Sequence, residues 1–283
     1  MAGPWDAVVA YWGDPLQGKP AAEIAAFYRR LGVFIESVVG AGNSASSRFL
    51  LHWLDGKGAP LTADASVISD LPEVKAYLAN EVRTVFLTRK QIHKTGRWGG
   101  IGPRLKRSPP FDKTPPQDAA GNYPMMYEGP PVGTITQMKF AEIMKRYSET
   151  KTITEQEKRY LDVFTSFHKF GIKSDVVVSA RPGAGPAGAG VYRIEFVSWT
   201  STAFDTYNWN YDLGFPVPNP DFGSKDAKAI AADKEVVVIR HAHAKTVKDA
   251  GLAQDFEVKT TPWSPMDATI NGPDSINLAR LGI

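Results

Sequence analysis

The chain has 283 residues, of which 43% are hydrophobic and 22% charged, and its formal net charge at pH 7 is +3. This composition excludes a disordered chain, because it supplies enough apolar side chains for a core and little net charge. The sequence has no cysteine, which excludes disulfides, thiolate zinc sites and a cysteine nucleophile. The small positive excess is spread along the chain, so it gives no strong signal for nucleic-acid binding.

The N-terminal sequence, MAGPWDAVVAYW, carries no basic segment, and its apolar run is too short for a signal peptide. No stretch approaches the ~18 consecutive apolar residues of a transmembrane segment. We therefore expect a protein that is soluble and made in the cytoplasm without a signal peptide. If it acts outside its own cell, another route must carry it, such as delivery into a target cell.

Three helices are predicted in an N-terminal helical part, residues 1–95. In the first two, apolar residues recur at the steps of three and four that mark one helix face. The third is expected to begin at Asp70, whose carboxylate would cap the helix while Glu73 reaches back. The predicted ranges are 21–39, 45–55 and 70–93.

The segment 96–133 is rich in glycine and proline and carries more basic than acidic residues. Because proline lacks an amide donor and fixes φ, we expect a long loop or arm here. The segment is also the predicted boundary to a C-terminal part, residues 134–283, although the two parts could form one continuous domain.

The C-terminal part opens with two predicted helices, 135–147 and 155–170, and Thr154 and Glu157 have capping-box spacing at the start of the second. The hydrophobic period then changes to the alternation of strands. Strands are predicted at 175–181, 191–199, 204–210, 235–240 and 255–260, with a short helix at 242–250. Helices followed by mostly antiparallel strands and a short C-terminal helix predict an α+β fold.

Residues 205–212 are the segment richest in groups that could carry chemistry. On a strand, Asp205 and Tyr207 would share one face, and Asn208 and Asn210 the other. A carboxylate beside a phenol could hold a hydrated Mg²⁺, with Asp205 as its ligand, or act as a general base. The competing interpretation is an aromatic strand that packs in the core and ends in a turn.

A second candidate site follows a later apolar strand, where His241 and His243 are flanked by Arg240 and Lys245. On a continuing strand both imidazole rings would face one side, as a two-histidine metal site or an acid–base pair requires. Basic neighbours without a nearby carboxylate favour binding of an anion such as phosphate. The competing interpretation is a partly exposed histidine pair at a junction between strand and helix.

Three segments resemble toxin-type domains at the ends of bacterial polymorphic toxins and in type VI secretion effectors. They are residues 49–58, 190–210 and 244–258. Within the second, Asp205-x-Tyr207-Asn208-x-Asn210 is similar to the D-x-Y-D-x-N stretch of colicin M-type bacteriocins, with Asn208 in place of the second Asp. Those enzymes use Mg²⁺ to cleave the lipid-linked peptidoglycan precursor between lipid and pyrophosphate.

The resemblance implies that Asp205 and Tyr207 position metal or water, while Arg240 or His241 takes the place of the His-Arg pair of those bacteriocins. The leading hypothesis is therefore a delivered bacterial effector or toxin that hydrolyses a phosphate-containing substrate of the cell envelope. Its candidate catalytic residues are Asp205, Tyr207, Arg240 and His241, and its candidate binding residues are Asn208, Asn210, His243 and Lys245.

Two other functions stay open on the sequence. One is a non-enzymatic binding or structural module of a secretion system or contractile injection apparatus. The other is a nuclease toxin, for which the basic residues within 90–107 would have to form the groove. The expected partners are a cognate immunity protein or a component of the secretion apparatus.

Overall fold

The computed structural model describes residues 12–39, 44–55, 58–88, 101, 117–129, 131–133, 137–183, 191–209, 214–265 and 274–277. The chain divides into two compact units, each assembled from three separate segments. The first unit comprises Met1–Leu61, Gly133–Lys169 and Asp205–Val258, and the second comprises Thr62–Val132, Phe170–Phe204 and Lys259–Ile283. The units group segments that pack together, and these segments are not consecutive in the chain. Amino-acid composition along the sequence does not reveal such a division.

The described helices agree with most of the predicted ranges. In chain order they are α1 (Ala21–Val39), α2 (Ala45–Leu54), α3 (Pro72–Ala76), α4 (Arg83–Thr88), α5 (Gln137–Thr150), α6 (Glu155–Ser166) and α7 (His241–Asp249). A 3₁₀ turn covers Ala65–Val67, and a π-helix, Tyr77–Val82, joins α3 to α4. The helices predicted at 21–39, 45–55 and 242–250 are confirmed to within one residue. None of the described helices is long and apolar enough to cross a membrane.

The described strands form a larger and a smaller sheet. They are β1 (Leu61–Ala63), β2 (Tyr123–Glu128), β3 (Val132–Gly133), β4 (Lys169–Pro182), β5 (Val191–Tyr207), β6 (Phe215–Pro218), β7 (Val236–Ile239), β8 (Phe256–Thr260) and β9 (Asp274–Asn277). The larger sheet has the order β1–β8–β5–β4–β2, with β3 paired to β4 and β9 to β5, and the smaller is β6–β7. Pairing is mainly antiparallel. The predicted α+β fold is confirmed.

The core of the first unit forms where α1 packs against α2 and α2 packs against α6. The predicted apolar stripe of α1 is buried at Phe27 and Leu31, and α2 buries Phe49 and Trp53 completely. Aromatic rings join these helices, since Tyr28 of α1 lies 6.1 Å from Trp53 between ring centroids. The helical spacing of the sequence therefore reports the buried faces correctly.

The third predicted helix differs from the expectation at its start. It begins at Pro72, and the preceding Leu71 occupies the N-cap position without a side-chain hydrogen bond. The predicted capping box of Asp70 and Glu73 is therefore wrong. The physical reason is Pro72 itself, because proline lacks the amide and has the φ that suit the first helical position.

Helix α6 has the predicted start but an earlier end. Thr154 and Glu157 form the expected capping box, with the Thr154 amide donating to Glu157 Oε2 at 3.0 Å. The helix stops at Ser166, whereas the sequence predicted a stop at Gly171. Gly171 instead lies in β4 beneath the ring of Phe204, where a Cβ would come within 2.4 Å of the ring. Its lack of a side chain serves strand packing rather than helix termination.

Strand β2 falls within the segment where glycine and proline content predicted a loop. Its side chains alternate between buried and half-buried positions, and it pairs antiparallel with β4. Pro124 is tolerated because β2 lies at the end of the sheet order among the described strands, where one side of a strand needs no ladder bond. The predicted strand 191–199 and the start of the predicted strand 204–210 are joined in β5. This strand ends at Tyr207, so Asn208 lies beyond it.

A β-bulge in β5 decides which of its side chains face inward. Val177 of β4 pairs with Ser198, whereas the next residue, Val178, pairs with Phe196, so Val197 is one residue extra. Even-numbered positions are buried before the bulge, as at Phe196, and odd-numbered positions after it. The residues that the bulge turns inward include Trp199, Ser201, Ala203 and Tyr207.

Candidate functional site

A cavity of about 140 Å³ lies in the first unit. It is lined by one stretch from the end of α6 and the start of β4, and by another from the end of β5. These stretches are Ser166, Phe167, His168, Lys169, and Asp205, Thr206, Tyr207, Asn208. For scale, an engineered cavity of about 150 Å³ holds benzene. This cavity is therefore large enough for one small polar group of a substrate.

Strand pairing explains why these two stretches meet. The antiparallel ladder of β4 and β5 reaches the pair Gly171 and Phe204, so the start of β4 and the end of β5 run side by side. His168 makes the turn between α6 and β4 with a left-handed φ of 42°. The bulge at Val197 gives odd-numbered residues the inward face, which directs Asp205 toward the cavity.

Asp205 is the carboxyl group on the cavity wall. The side chain is half-buried, and the Thr206 amide donates to its Oδ1 at 2.8 Å. Burial raises the pKa of Asp205 to about 7, against the lowering effect of that amide hydrogen bond. The group therefore gains and loses a proton near neutral pH, which is the property required of a general acid or base.

This pKa predicts how Asp205 affects stability. In the unfolded chain the carboxyl ionises near pH 4, and in the folded protein near 7. The folded state holds the extra proton in this window, so the free energy of unfolding falls as pH rises through it. We expect Asp205→Asn to be more stable than wild type by about 1–3 kcal/mol at pH 8, with the difference shrinking toward pH 4.

Urea unfolding of both proteins at pH 4.5 and pH 8 measures this difference. Asp175→Asn is the matched control, because Asp175 is an exposed acid on β4 and should show little pH-dependent change. If Asp205→Asn and wild type lose stability in parallel as the pH rises, the carboxyl does not ionise near neutrality in the folded protein.

Tyr207 has two places in the structure: it lines the cavity, and its ring also belongs to the aromatic core. Only 5% of its surface is exposed. Its ring lies 5.6 Å from Phe49, 5.1 Å from Phe256 and 6.0 Å from Trp209. This aromatic packing fixes the end of β5, and with it the position of Asp205.

Arg240 and His243 converge on Asp14, an acid that the sequence analysis did not consider. Arg240 Nε lies 2.9 Å from Asp14 Oδ2, and His243 Nε2 lies 3.0 Å from Oδ1. Burial alone would raise the pKa of Asp14, but the hydrogen bond from His243 and the charge of Arg240 lower it. The Arg240 amide donates to His243 Nδ1 at 3.1 Å, so His243 carries its proton on Nε2. Both nitrogens of His243 thus hold the start of α7.

On a continuing strand His241 and His243 would face the same side, but in the structure they do not. Strand β7 ends at Ile239 and α7 begins at His241, and two helical steps turn side chains by about 200°. His241 Nδ1 donates to the carbonyl of Trp209, which ties α7 to the end of β5. Lys245 is exposed and pairs with Asp249 one turn along α7.

The structure therefore brings together only part of the predicted set. Asp205, Tyr207 and Asn208 line one cavity, while the four basic candidates of the 240–245 segment are not among its lining residues. Asn210 lies outside the described residues, as does nearly all of the basic segment 90–107. Sequence reasoning missed His168 and Lys169 as neighbours of Asp205, because only the register of β4 and β5 brings them there.

A metal at this cavity stays a prediction. Across the described ranges, no group of three or more His, Asp or Glu side chains is arranged to hold a metal ion. Asp205 is the one carboxylate among the cavity-lining residues. Since Mg²⁺ is usually held through one or two carboxylates together with waters and substrate phosphates, Asp205 would be its ligand from this wall. We derive no step through a metal.

Comparisons with known proteins give no independent indication of function. No protein-family model matches the chain, and neither the curated proteins nor the solved structures include a match. The fold and site define an α+β protein with a small polar cavity beside Asp205, a carboxyl whose pKa is about 7.

Proposed function

We propose that this protein is a hydrolase of a phosphate-containing cell-envelope substrate, delivered as an effector or toxin, with Asp205 as a proton-transfer residue. The observation that carries the proposal is the position of Asp205, a carboxyl with a pKa of about 7 in a cavity sized for one polar group. The resemblance of residues 205–210 to the colicin M-type motif supports the same substrate class.

The cavity supplies the other groups that phosphate hydrolysis needs. Lys169 is exposed at the wall, and its ammonium can neutralise the charge of a bound phosphate. Asn208 is half-buried on the same wall and offers both a donor and an acceptor. Asp205 in its protonated form gives a proton to the leaving oxygen, which removes the cost of expelling an alkoxide or phosphate anion.

Growth of bacteria that express the protein tests this function. We expect wild type, sent to the periplasm or kept in the cytoplasm, to reduce colony counts in one compartment. Asp205→Asn should restore growth at equal protein level, because it lacks the proton that the leaving oxygen needs. Urea unfolding of the purified variant checks that it is folded.

Asp175→Asn is again the matched control, since it removes an exposed acid from the neighbouring strand and should leave toxicity intact. Growth that is normal with wild type in both compartments would remove the toxin function. Toxicity that survives in folded Asp205→Asn would remove the hydrolase at this cavity.

One observation favours the second candidate function, a binding module. Val33 on α1 and Phe222 are exposed by 65% and 50%. Val33 follows Arg30 by about one turn of α1, Phe222 follows Asp221 directly, and the side chains of Arg30 and Asp221 are joined at 2.6 and 2.7 Å. Exposed apolar side chains around a fixed ion pair are suited to a protein contact. Replacing Asp205 would leave the protein contact of a binding module intact, whereas it would abolish hydrolysis at the cavity. The growth experiment therefore separates the two functions.

A further inference from the structure

The cavity contains a second side chain able to carry a proton besides Asp205. His168 lines the same cavity as Asp205 and is half-buried. It follows the last turn of α6, where its amide donates to the carbonyls of Val163 at 3.3 Å and Phe164 at 3.1 Å. This placement presents an imidazole beside the one carboxyl of the cavity wall.

The backbone of His168 is left-handed. Its φ of 42° lies in the region where glycine is the favoured residue at the end of a helix. Histidine is one of the few other residues enriched there, and left-handed positions of this kind occur at functional sites. The conformation thus motivates a search for a role of the side chain.

The imidazole ring is held in one orientation. Phe164, one turn earlier on α6, meets it edge to face with ring centroids 4.7 Å apart. A ring fixed in this way loses little freedom when a substrate arrives, which favours catalysis by positioning.

The electrostatic surroundings give His168 and Asp205 opposite roles. Burial, and to a smaller extent the charge of Lys169, lower the pKa of His168. The other ionisable groups on the cavity wall are Asp205 itself and the phenol of Tyr207. At neutral pH the imidazole is therefore uncharged and able to accept a proton, while part of the Asp205 population holds one to give.

We propose that His168 is the general base of this site and works together with Asp205 as the general acid, an inference that rests on the proposed function. Water attacks the phosphorus, and its proton passes to the neutral His168 imidazole. The bond between phosphorus and the leaving oxygen breaks, and that oxygen takes the proton of the Asp205 carboxyl. His168 then releases a proton to solvent and Asp205 regains one, which restores the starting state.

His168→Gly is the variant that tests the base, because glycine suits the left-handed backbone and should keep the fold. With bis(4-nitrophenyl) phosphate as the probe, we expect hydrolysis to fall at least about 100-fold, in line with the loss of a general base. Removing the imidazole also enlarges the cavity by the space of that ring. Added imidazole should therefore restore part of the rate, which a merely structural histidine would not allow.

The pH profile gives a second readout. Wild type should show a bell, rising as His168 loses its proton and falling as Asp205 ionises. His168→Gly should lack the rising limb, and Asp205→Asn the falling limb. A rate in His168→Gly equal to that of wild type, or a folded His168→Gly that imidazole does not rescue, would overturn the assignment of the base.

NMR titration of the histidine rings in the whole chain tests the neutral imidazole directly. Burial and the charge of Lys169 lower the pKa of His168, so its ring should lose its proton below the pH of an ordinary imidazole. A His168 ring that is still protonated at neutral pH would overturn its role as the base. If wild type neither inhibits growth nor cleaves the probe, the proposed function fails and this inference with it. If wild type is active but His168→Gly keeps the wild-type rate or is not rescued by imidazole, only the inference about His168 fails.

Discussion

Deleting Thr200 should turn core side chains of β5 outward and remove most of the folding stability of the chain, whereas deleting Val197 should not. Val197 is the extra residue of the bulge in β5, so its removal leaves Phe196 and Ser198 opposite Val178 and Val177 in a regular ladder. Thr200 lies in the regular ladder opposite Asp175. Because side chains of a strand alternate with a period of two, the loss of Thr200 moves the side chains on one side of the gap to the opposite face.

The energetic cost of that change is large because the residues after the bulge are core residues. Trp199 is 1% exposed, and Ser201 and Ala203 are fully buried. Truncating one buried large aromatic side chain costs about 3–5 kcal/mol, and the whole free energy of unfolding is about 5–15 kcal/mol for a typical domain. We therefore expect the Thr200 deletion variant to lose cooperative unfolding in urea and its near-ultraviolet circular dichroism.

Deletion of Val197 is the matched control, because it removes one residue from the same strand without changing which side chains face inward. Val197→Thr keeps the number of residues at a position that is 51% exposed, so its stability should stay within about 0.5 kcal/mol of wild type. Native stability in the Thr200 deletion, or loss of the fold in the Val197 deletion, would mean that the extra residue does not set the inward face.

The bulge also illustrates how far the sequence could predict the site. Alternation along 191–199 correctly indicated a half-buried strand, because that pattern is local. Continued without a break, that alternation would place Ser198 on the same face as Phe196, whereas Ser198 is exposed and Trp199 is buried. The extra residue depends on pairing with β4, which no local pattern of β5 contains.

The basic candidates show the same limit from another direction. The sequence noted no carboxylate near His243 and Arg240, and therefore favoured an anion as their ligand. The structure supplies Asp14, more than two hundred residues away in the chain, which contacts both. Helices such as α1 could be predicted because their spacing is local, whereas the partners of buried charges depend on tertiary packing.

Asp162→Ala should be the most destabilising of the single substitutions considered for the first unit, because this buried carboxylate organises the start of α2 from α6. Ser44 Oγ and Ser46 Oγ donate to its Oδ1 at 2.8 and 2.7 Å. The amide of Ser46 donates to the same oxygen at 2.9 Å, and the amide of Ala45 to Oδ2 at 3.1 Å. Alanine would leave the amides of Ala45 and Ser46 and the hydroxyl of Ser44 without this acceptor, while the Ser46 hydroxyl keeps the backbone carbonyl of residue 162 at 2.6 Å.

We expect Asp162→Ala to lower the free energy of unfolding by about 3 kcal/mol or more, since hydrogen bonds to a charged group contribute about 1.5–3 kcal/mol each and are not additive. Asp162→Asn should fall between alanine and wild type, because its amide keeps one acceptor oxygen but turns a donor toward other donors. Asp249→Ala is the control, as its exposed pair with Lys245 should contribute less than about 1 kcal/mol.

The loss at Asp162 should also reach the cavity, through the elements that this carboxylate joins. Helix α6 carries His168 just beyond its end, and α2 carries Phe49, whose ring meets Phe167 at 5.2 Å and Tyr207 at 5.6 Å. Loosening α2 from α6 therefore frees both walls that hold Asp205 and His168 in place. Urea unfolding gives the stability, and hydrolysis of the phosphate probe below the unfolding midpoint gives the effect on the site. Asp162→Ala with wild-type stability would show that solvent or neighbouring groups satisfy the donors of α2 without this carboxylate.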